Sequence, residues 1–118
     1  MAAPGFALGV DLGTSNTVAV LRWPDGRVKP LLFDGGPLLP SAVYAEPGGA
    51  LLTGRDAVHS AQLDPARYEP NPKRRVDEGT VLLGDTEVPV VRLLAAVLGR
   101  VVEEARRTTG GATPEAST

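Results

Sequence analysis

An apolar run from Phe6 to Val10 closes on Asp11, gives way to Gly13-Thr14-Ser15-Asn16, and resumes as a second apolar run from Thr17. This alternation of runs and turn residues predicts a β-hairpin with strands over 6–11 and 17–22. Trp23-Pro24-Asp25-Gly26 is a strong turn signal that returns the chain into Val28 to Phe33, so the hairpin extends to a three-strand meander. The first strand is apolar at nearly every position, which predicts a central strand covered on both faces. The third alternates weakly and is interrupted by Pro30, which demotes it toward a sheet edge.

Beyond the Gly35-Gly36-Pro37 loop, Leu39 to Tyr44 reads as a strand, and Pro47-Gly48-Gly49 turns it back into Ala50-Leu51-Leu52 as a second hairpin. A short helix is expected over 54–62, and the proline-punctuated stretch 64–72 is expected to be irregular. Val81-Leu82-Leu83 and Thr86-Glu87-Val88 flank Gly84-Asp85 as a third candidate hairpin. The one long helix is predicted from about Pro89 to Thr109, with Val90, Leu94, Val97, Leu98 and Val101 on its apolar face and Gly110-Gly111 ending it. Arg106 and Arg107 suit its C-terminal dipole. The expected layout is a meander with the phosphate-type turn over 1–37, a small peripheral subdomain over 38–88, a crossover helix over 89–110 and a disordered tail over 111–118, all within one partial domain. No internal repeat is present.

The 118 residues allow one domain at most, or a piece of one, and 42% apolar content is ordinary for a globular chain. With no cysteine and a lone His59, neither a disulfide framework nor a zinc cluster is available. A net charge of −2 argues against a nucleic-acid surface. No stretch is long enough to span a bilayer, and the apolar N-terminus lacks a basic leader and runs straight into Asp11, so membrane and secretory readings are set aside in favour of a cytoplasmic one.

The chemistry concentrates in the first turn. Gly13 removes a side chain where an anion must come close, and Thr14, Ser15 and Asn16 offer hydroxyls, an amide and successive backbone N–H groups. Asp11 would repel a phosphate directly, and makes sense if it holds Mg²⁺ or its waters between protein and nucleotide. The alternative is an ordinary hairpin turn, for which Gly, Asn, Ser and Asp are favoured residues in any case. The turn lacks a P-loop lysine and does not run from strand into helix, so neither the Walker nor the dinucleotide fingerprint applies.

Four features in order extend the pattern: GVDLGTSNTVAV, then LPSAVYAE, then LLTGRDAVHSA, then PKRRV. Together they resemble the N-terminal part of the nucleotide-binding domain of the 70-kDa heat-shock chaperones, members of the actin-like ATPase superfamily. The first segment looks like that family's first phosphate motif, the second like its Pro-Ser strand, the third like its Gly-x-x-Ala helix start, and the fourth like its Lys-Arg pair. The resemblance implies an α/β fold with a mixed sheet: the first lobe of a ribonuclease-H-like, actin-like ATPase, truncated after strands one to three and the first crossover helix. In the family's 3-2-1-4-5 sheet the next strand would pair with strand one, and it is expected to be missing here. The second carboxylate cluster, the second phosphate motif, the adenosine pocket and a substrate-binding domain are likewise expected to be missing.

The same resemblance implies roles for individual residues. Asp11 would organise the Mg²⁺ water shell, and Gly13, Thr14, Ser15 and Asn16 would cradle the phosphates of ATP or ADP. Lys73 would reach from the peripheral subdomain toward the γ-phosphate as the catalytic cation, with Arg74 lining the same cleft. The plain alternative is that Lys73, Arg74 and Arg75 form a solvated basic cluster. Arg75 is given no role, His59 is read as a surface residue, and Asp77 and Glu78 are not assigned to acid–base work. Partners implied are the nucleotide and, through parts outside this sequence, unfolded clients and co-chaperones. The functional expectation is therefore a segment of an ATP-hydrolysing chaperone domain with little turnover of its own. The competing class is an actin-like or chaperone-related interaction module without turnover, and a sugar-kinase relative ranks third. An unpaired first strand would expose a hydrogen-bonding edge and favour self-association.

Overall fold

The computed structural model describes residues 5–110 and, for the backbone alone, 115–117. Strand β1 (Ala7–Leu12) and strand β2 (Asn16–Arg22) pair antiparallel from Ala7 opposite Arg22 to Leu12 opposite Thr17. This leaves residues 13–15 between the two strands. The outer edge of β2 is shared end to end by two short strands. β3 (Val28–Pro30) pairs with its C-terminal half and β4 (Leu39–Pro40) with Asn16 and Thr17. β3 is an edge strand, as Pro30 predicts, since proline has no N–H to offer a further neighbour.

The stretch Leu39 to Tyr44 does not form the single strand expected. It breaks at Ser41 and Ala42, and β5 (Val43–Ala45) joins a second sheet, between β6 (Leu51–Thr53) and β7 (Tyr68–Glu69). The β5–β6 hairpin is the one its Pro-Gly-Gly turn predicts. β7 lies inside the stretch expected to be irregular. A 3-10 turn over Pro65–Arg67, capped by the Asp64 carboxylate accepting from Ala66 N at 3.1 Å, delivers the chain to β5 despite the prolines. Helix α1 (Gly54–Ser60) sits where a short helix is predicted, and a 3-10 helix spans Pro72–Glu78. The third hairpin is β8 (Thr80–Leu83) with β9 (Thr86–Pro89).

Helix α2 (Val90–Thr108) follows directly on Pro89. Its buried face is Val90, Leu93, Val97, Val101 and Ala105, a 3-4-4-4 spacing that traces one line along the helix. The predicted face is corrected here: Leu94 and Leu98 stand at its margin, Leu98 being 39% exposed, while Leu93 and Ala105 take the core positions. α2 packs against β5, β6, β9 and the Pro72–Glu78 helix.

After α2, the backbone of Glu115–Ser117 forms strand β10, parallel to β1 with Ala7 opposite Glu115 and Gly9 opposite Ser117. Parallel neighbours need a crossover of a dozen or more residues, and α2 supplies it. The strand expected to be missing beside β1, and the disorder expected of the tail, are thus corrected at these three residues; the rest of 111–118 lies outside the described residues. The main sheet has the order β10-β1-β2-β3 and combines antiparallel and parallel pairs. With the helix that connects them, this is a mixed α/β architecture, compatible with the actin-like first lobe that the resemblance implies.

One core runs through the molecule, from Leu8, Ala19 and Leu21 through Phe33, Leu39 and Val43 to Leu93, Val97 and Val101. A satellite cluster of Ala42, Tyr44 and Ala57 fills the other side of β5. Contrary to the sequence reading, β1 and its neighbours are covered by the described residues on one face only. On the opposite face Val20 is 44% and Val28 57% exposed.

Candidate phosphate-binding turn

The β1–β2 connection closes through Gly13 N donating to Asn16 O at 3.1 Å. A Cβ on Gly13 would run into that same Asn16 carbonyl oxygen, so the tightness of the turn is itself the reason for glycine. Ser15 and Asn16 are exposed at its tip, Thr14 is half-buried, and Asp11 is exposed one residue before Leu12 on the last turn of the pleat.

What sets this turn apart from an ordinary hairpin is the fate of its carbonyl groups. Lys73 Nζ donates to Leu12 O at 2.8 Å. Ser41 Oγ donates to Gly13 O at 2.9 Å. The Asn71 side-chain amide, oriented with its nitrogen toward two backbone oxygens, donates to Thr14 O at 2.7 Å and to Pro70 O at 3.1 Å. Ser41 N donates to Ser15 O at 3.0 Å, and Asn16 O takes the Gly13 N–H. Five consecutive carbonyls, 12 to 16, are therefore tied to the protein. Among the described residues, no backbone partner takes the N–H of Thr14 or Ser15. A turn whose oxygens are anchored and whose amides are unspent presents donors to an anion without the repulsion of neighbouring carbonyl lone pairs.

The anchors come from two elements that flank the hairpin. Ser41 sits in the break between β4 and β5, 2% exposed, and its hydroxyl also bonds the buried Thr17 hydroxyl at 2.9 Å. That break, absent from the sequence reading, is what lets Ser41 turn toward Gly13 rather than continue a ladder. Asn71 and Lys73 belong to the Pro72–Glu78 helix and the residue that starts it. Behind them lies Glu69, whose side chain is 4% exposed: its carboxylate accepts from Asn71 N at 2.8 Å and from Arg75 Nε at 2.9 Å. Arg75 also bridges Glu78 at 3.1 Å, and Glu78 first, then Glu69, hold its pKa above the usual guanidinium value.

Of the residues singled out in the sequence, Asp11, Gly13, Thr14, Ser15, Asn16 and Lys73 thus come together at one end of the main sheet. Arg74 is exposed beside Lys73. Arg75, given no role by the sequence, holds a buried carboxylate. Ser41, Glu69 and Asn71 were missed as site residues. Ser41 lies within the Pro-Ser segment and Asn71 between two prolines, but neither position shows in sequence that its side chain reaches back to the hairpin. As for a metal, no group of three or more His, Cys, Asp or Glu side chains is present among the described residues. A lone exposed carboxylate fits Mg²⁺, which keeps most of its waters and takes one or two protein oxygens. No helix among the described residues is long and apolar enough to cross a membrane.

No protein-family model matches the chain. Over 108 residues, 90% of its length, the chain is 31% identical to chaperone protein DnaK of Thermotoga neapolitana. The DnaK proteins of Thermotoga petrophila and Thermotoga maritima match it to the same extent. The chain spans only 18% of the length of these relatives. Across that stretch, the similarity relates the chain to the 70-kDa heat-shock chaperones.

Proposed function

We propose that the chain is a segment of the nucleotide-binding part of a chaperone of the 70-kDa heat-shock type, and that its first turn receives the phosphates of ATP or ADP together with Mg²⁺. The observation that carries this reading is the anchoring of the five carbonyls from Leu12 to Asn16, while among the described residues the Thr14 and Ser15 amides have no backbone partner. Thr14, Ser15 and Asn16 offer these amides and their side chains to the phosphate oxygens. Gly13 lets the turn close on the Asn16 carbonyl. Asp11 would hold Mg²⁺ through its waters, and the charge neutralisation that such an ion supplies would act on the phosphates. Lys73 spends one of three ammonium donors on Leu12 O and retains two for a terminal phosphate. Arg74 lines the same approach. Phosphoryl transfer asks mainly for positioning and charge neutralisation, which suits donors fixed on a strand turn.

This segment alone is expected to bind rather than turn over, since the residues placed here supply no general base and no second set of phosphate donors. Clients, co-chaperones and a cytoplasmic setting belong to the same proposal, through a longer protein. Calorimetric titration of Mg-ATP into the wild-type chain, Asp11→Ala and Lys73→Ala tests it. Each substitution is expected to weaken binding by about tenfold or more, the ~1.4 kcal/mol or more of a charge-assisted contact. Equal, weak heats from all three proteins would remove the phosphate-site assignment.

A further inference from the structure

We infer that Glu69 is a positioning residue for this turn, acting on Lys73 through the two neighbours whose donors it accepts. The inference rests on the proposed phosphate site. Asn71 is fixed through its backbone N–H, its backbone carbonyl and its side-chain nitrogen. Its N–H goes to Glu69, its carbonyl accepts Arg74 N at 3.0 Å to start the 3-10 helix, and its side-chain amide goes to Thr14 O and Pro70 O. Pro70 and Pro72 flank it and restrict its backbone further. Four residues on, Arg75 is held by the other oxygen of the same carboxylate. Lys73 lies midway between these two anchors, on the first turn of the helix. A buried carboxylate with both oxygens engaged therefore fixes where the lysine backbone stands, and the lysine ammonium meets the hairpin at Leu12 O.

The geometry separates two routes to the turn. Asn71 acts on it directly, through the Thr14 carbonyl. Glu69 acts through the placement of the helix, and so through Lys73. A buried carboxylate that loses its charge opposite an arginine no longer holds that arginine, while a glutamine of the same size still accepts from Asn71 N.

The test is a double-mutant cycle on the full chain with Mg-ATP as the probe, read as the dissociation constant, with thermal unfolding recorded for every variant. Glu69→Gln is expected to raise the dissociation constant about tenfold, ~1.4 kcal/mol, when Lys73 is present, and less than about twofold in the Lys73→Ala background. Asn71→Ala is expected to cost the same in both backgrounds. Arg75→Met attacks the same ion pair from its solvent side and should reproduce the dependence on Lys73 if Glu69→Gln fails to fold. A loss equal in both backgrounds, or no loss at all, with binding by the wild type intact, overturns this inference and leaves the phosphate site standing. Absence of Mg-ATP binding by the folded wild type overturns both.

Discussion

Ser41 does more for the turn than any residue within it. Its hydroxyl donates to Gly13 O and bonds the Thr17 hydroxyl, and its N–H holds Ser15 O, all in a setting where the side chain is 2% exposed. Ser41→Ala strands one carbonyl and one buried hydroxyl. It is expected to cost about 1–3 kcal/mol in urea unfolding, the penalty of leaving such groups unpaired. A cost within error of zero would show that water replaces the serine freely. The residues that would face a ligand were legible in sequence because turn chemistry is local: Gly13, Thr14, Ser15 and Asn16 announce themselves by type and order. The residues that hold the turn were not. Ser41 is 28 positions from Gly13, and Lys73 is 61 from Leu12, and no local pattern carries such distances. Lys73 was found by resemblance, and Glu69 only by its burial.

At the level of elements, hairpins and helices were readable where one partner decided the pattern. The β5–β6 and β8–β9 hairpins follow from their glycine turns, and α2 from its period. The break between β4 and β5 was not readable, because Leu39 is buried against one sheet and Val43 within another, and both look equally apolar in sequence. The face of α2 was misjudged by one position for a related reason. Leu93 and Leu94 are identical in type, and only the packing of β5, β6 and β9 around the helix selects between them. Leu93, fully buried, is expected to lose about 2–5 kcal/mol on replacement by alanine, and the half-buried Leu94 less than about half as much. Paired denaturation curves for Leu93→Ala and Leu94→Ala check the register, and a reversed order would place the helix a residue off.

For the molecule as a whole, one continuous core ties the meander, the 38–88 segment and α2 together, and the Pro72–Glu78 helix that brings Lys73 to the hairpin packs on α2 and β8, which belong to that core. The main sheet has helix and loop packing on the Leu8, Ala19 and Leu21 side, and an open face carrying Val20 and Val28 on the other. Coverage on both faces was inferred from the apolar character of β1, and it failed because apolarity records what a strand tolerates, whereas coverage depends on layers that the strand itself does not specify. Among the described residues β10 pairs with Ala7 to Gly9, which closes the β1 edge at the end away from the phosphate turn. The proposed site consists of unspent amides offered to a nucleotide's phosphates. Its most direct measurement is the amide nuclear magnetic resonance of the wild-type chain titrated with Mg-ATP, against Mg²⁺ alone. Saturable shifts led by Thr14 and Ser15 are expected, with Asp11 and Lys73 following and the Trp23 end of the hairpin silent. Shifts spread evenly over the chain, or none at Thr14 and Ser15, would contradict it.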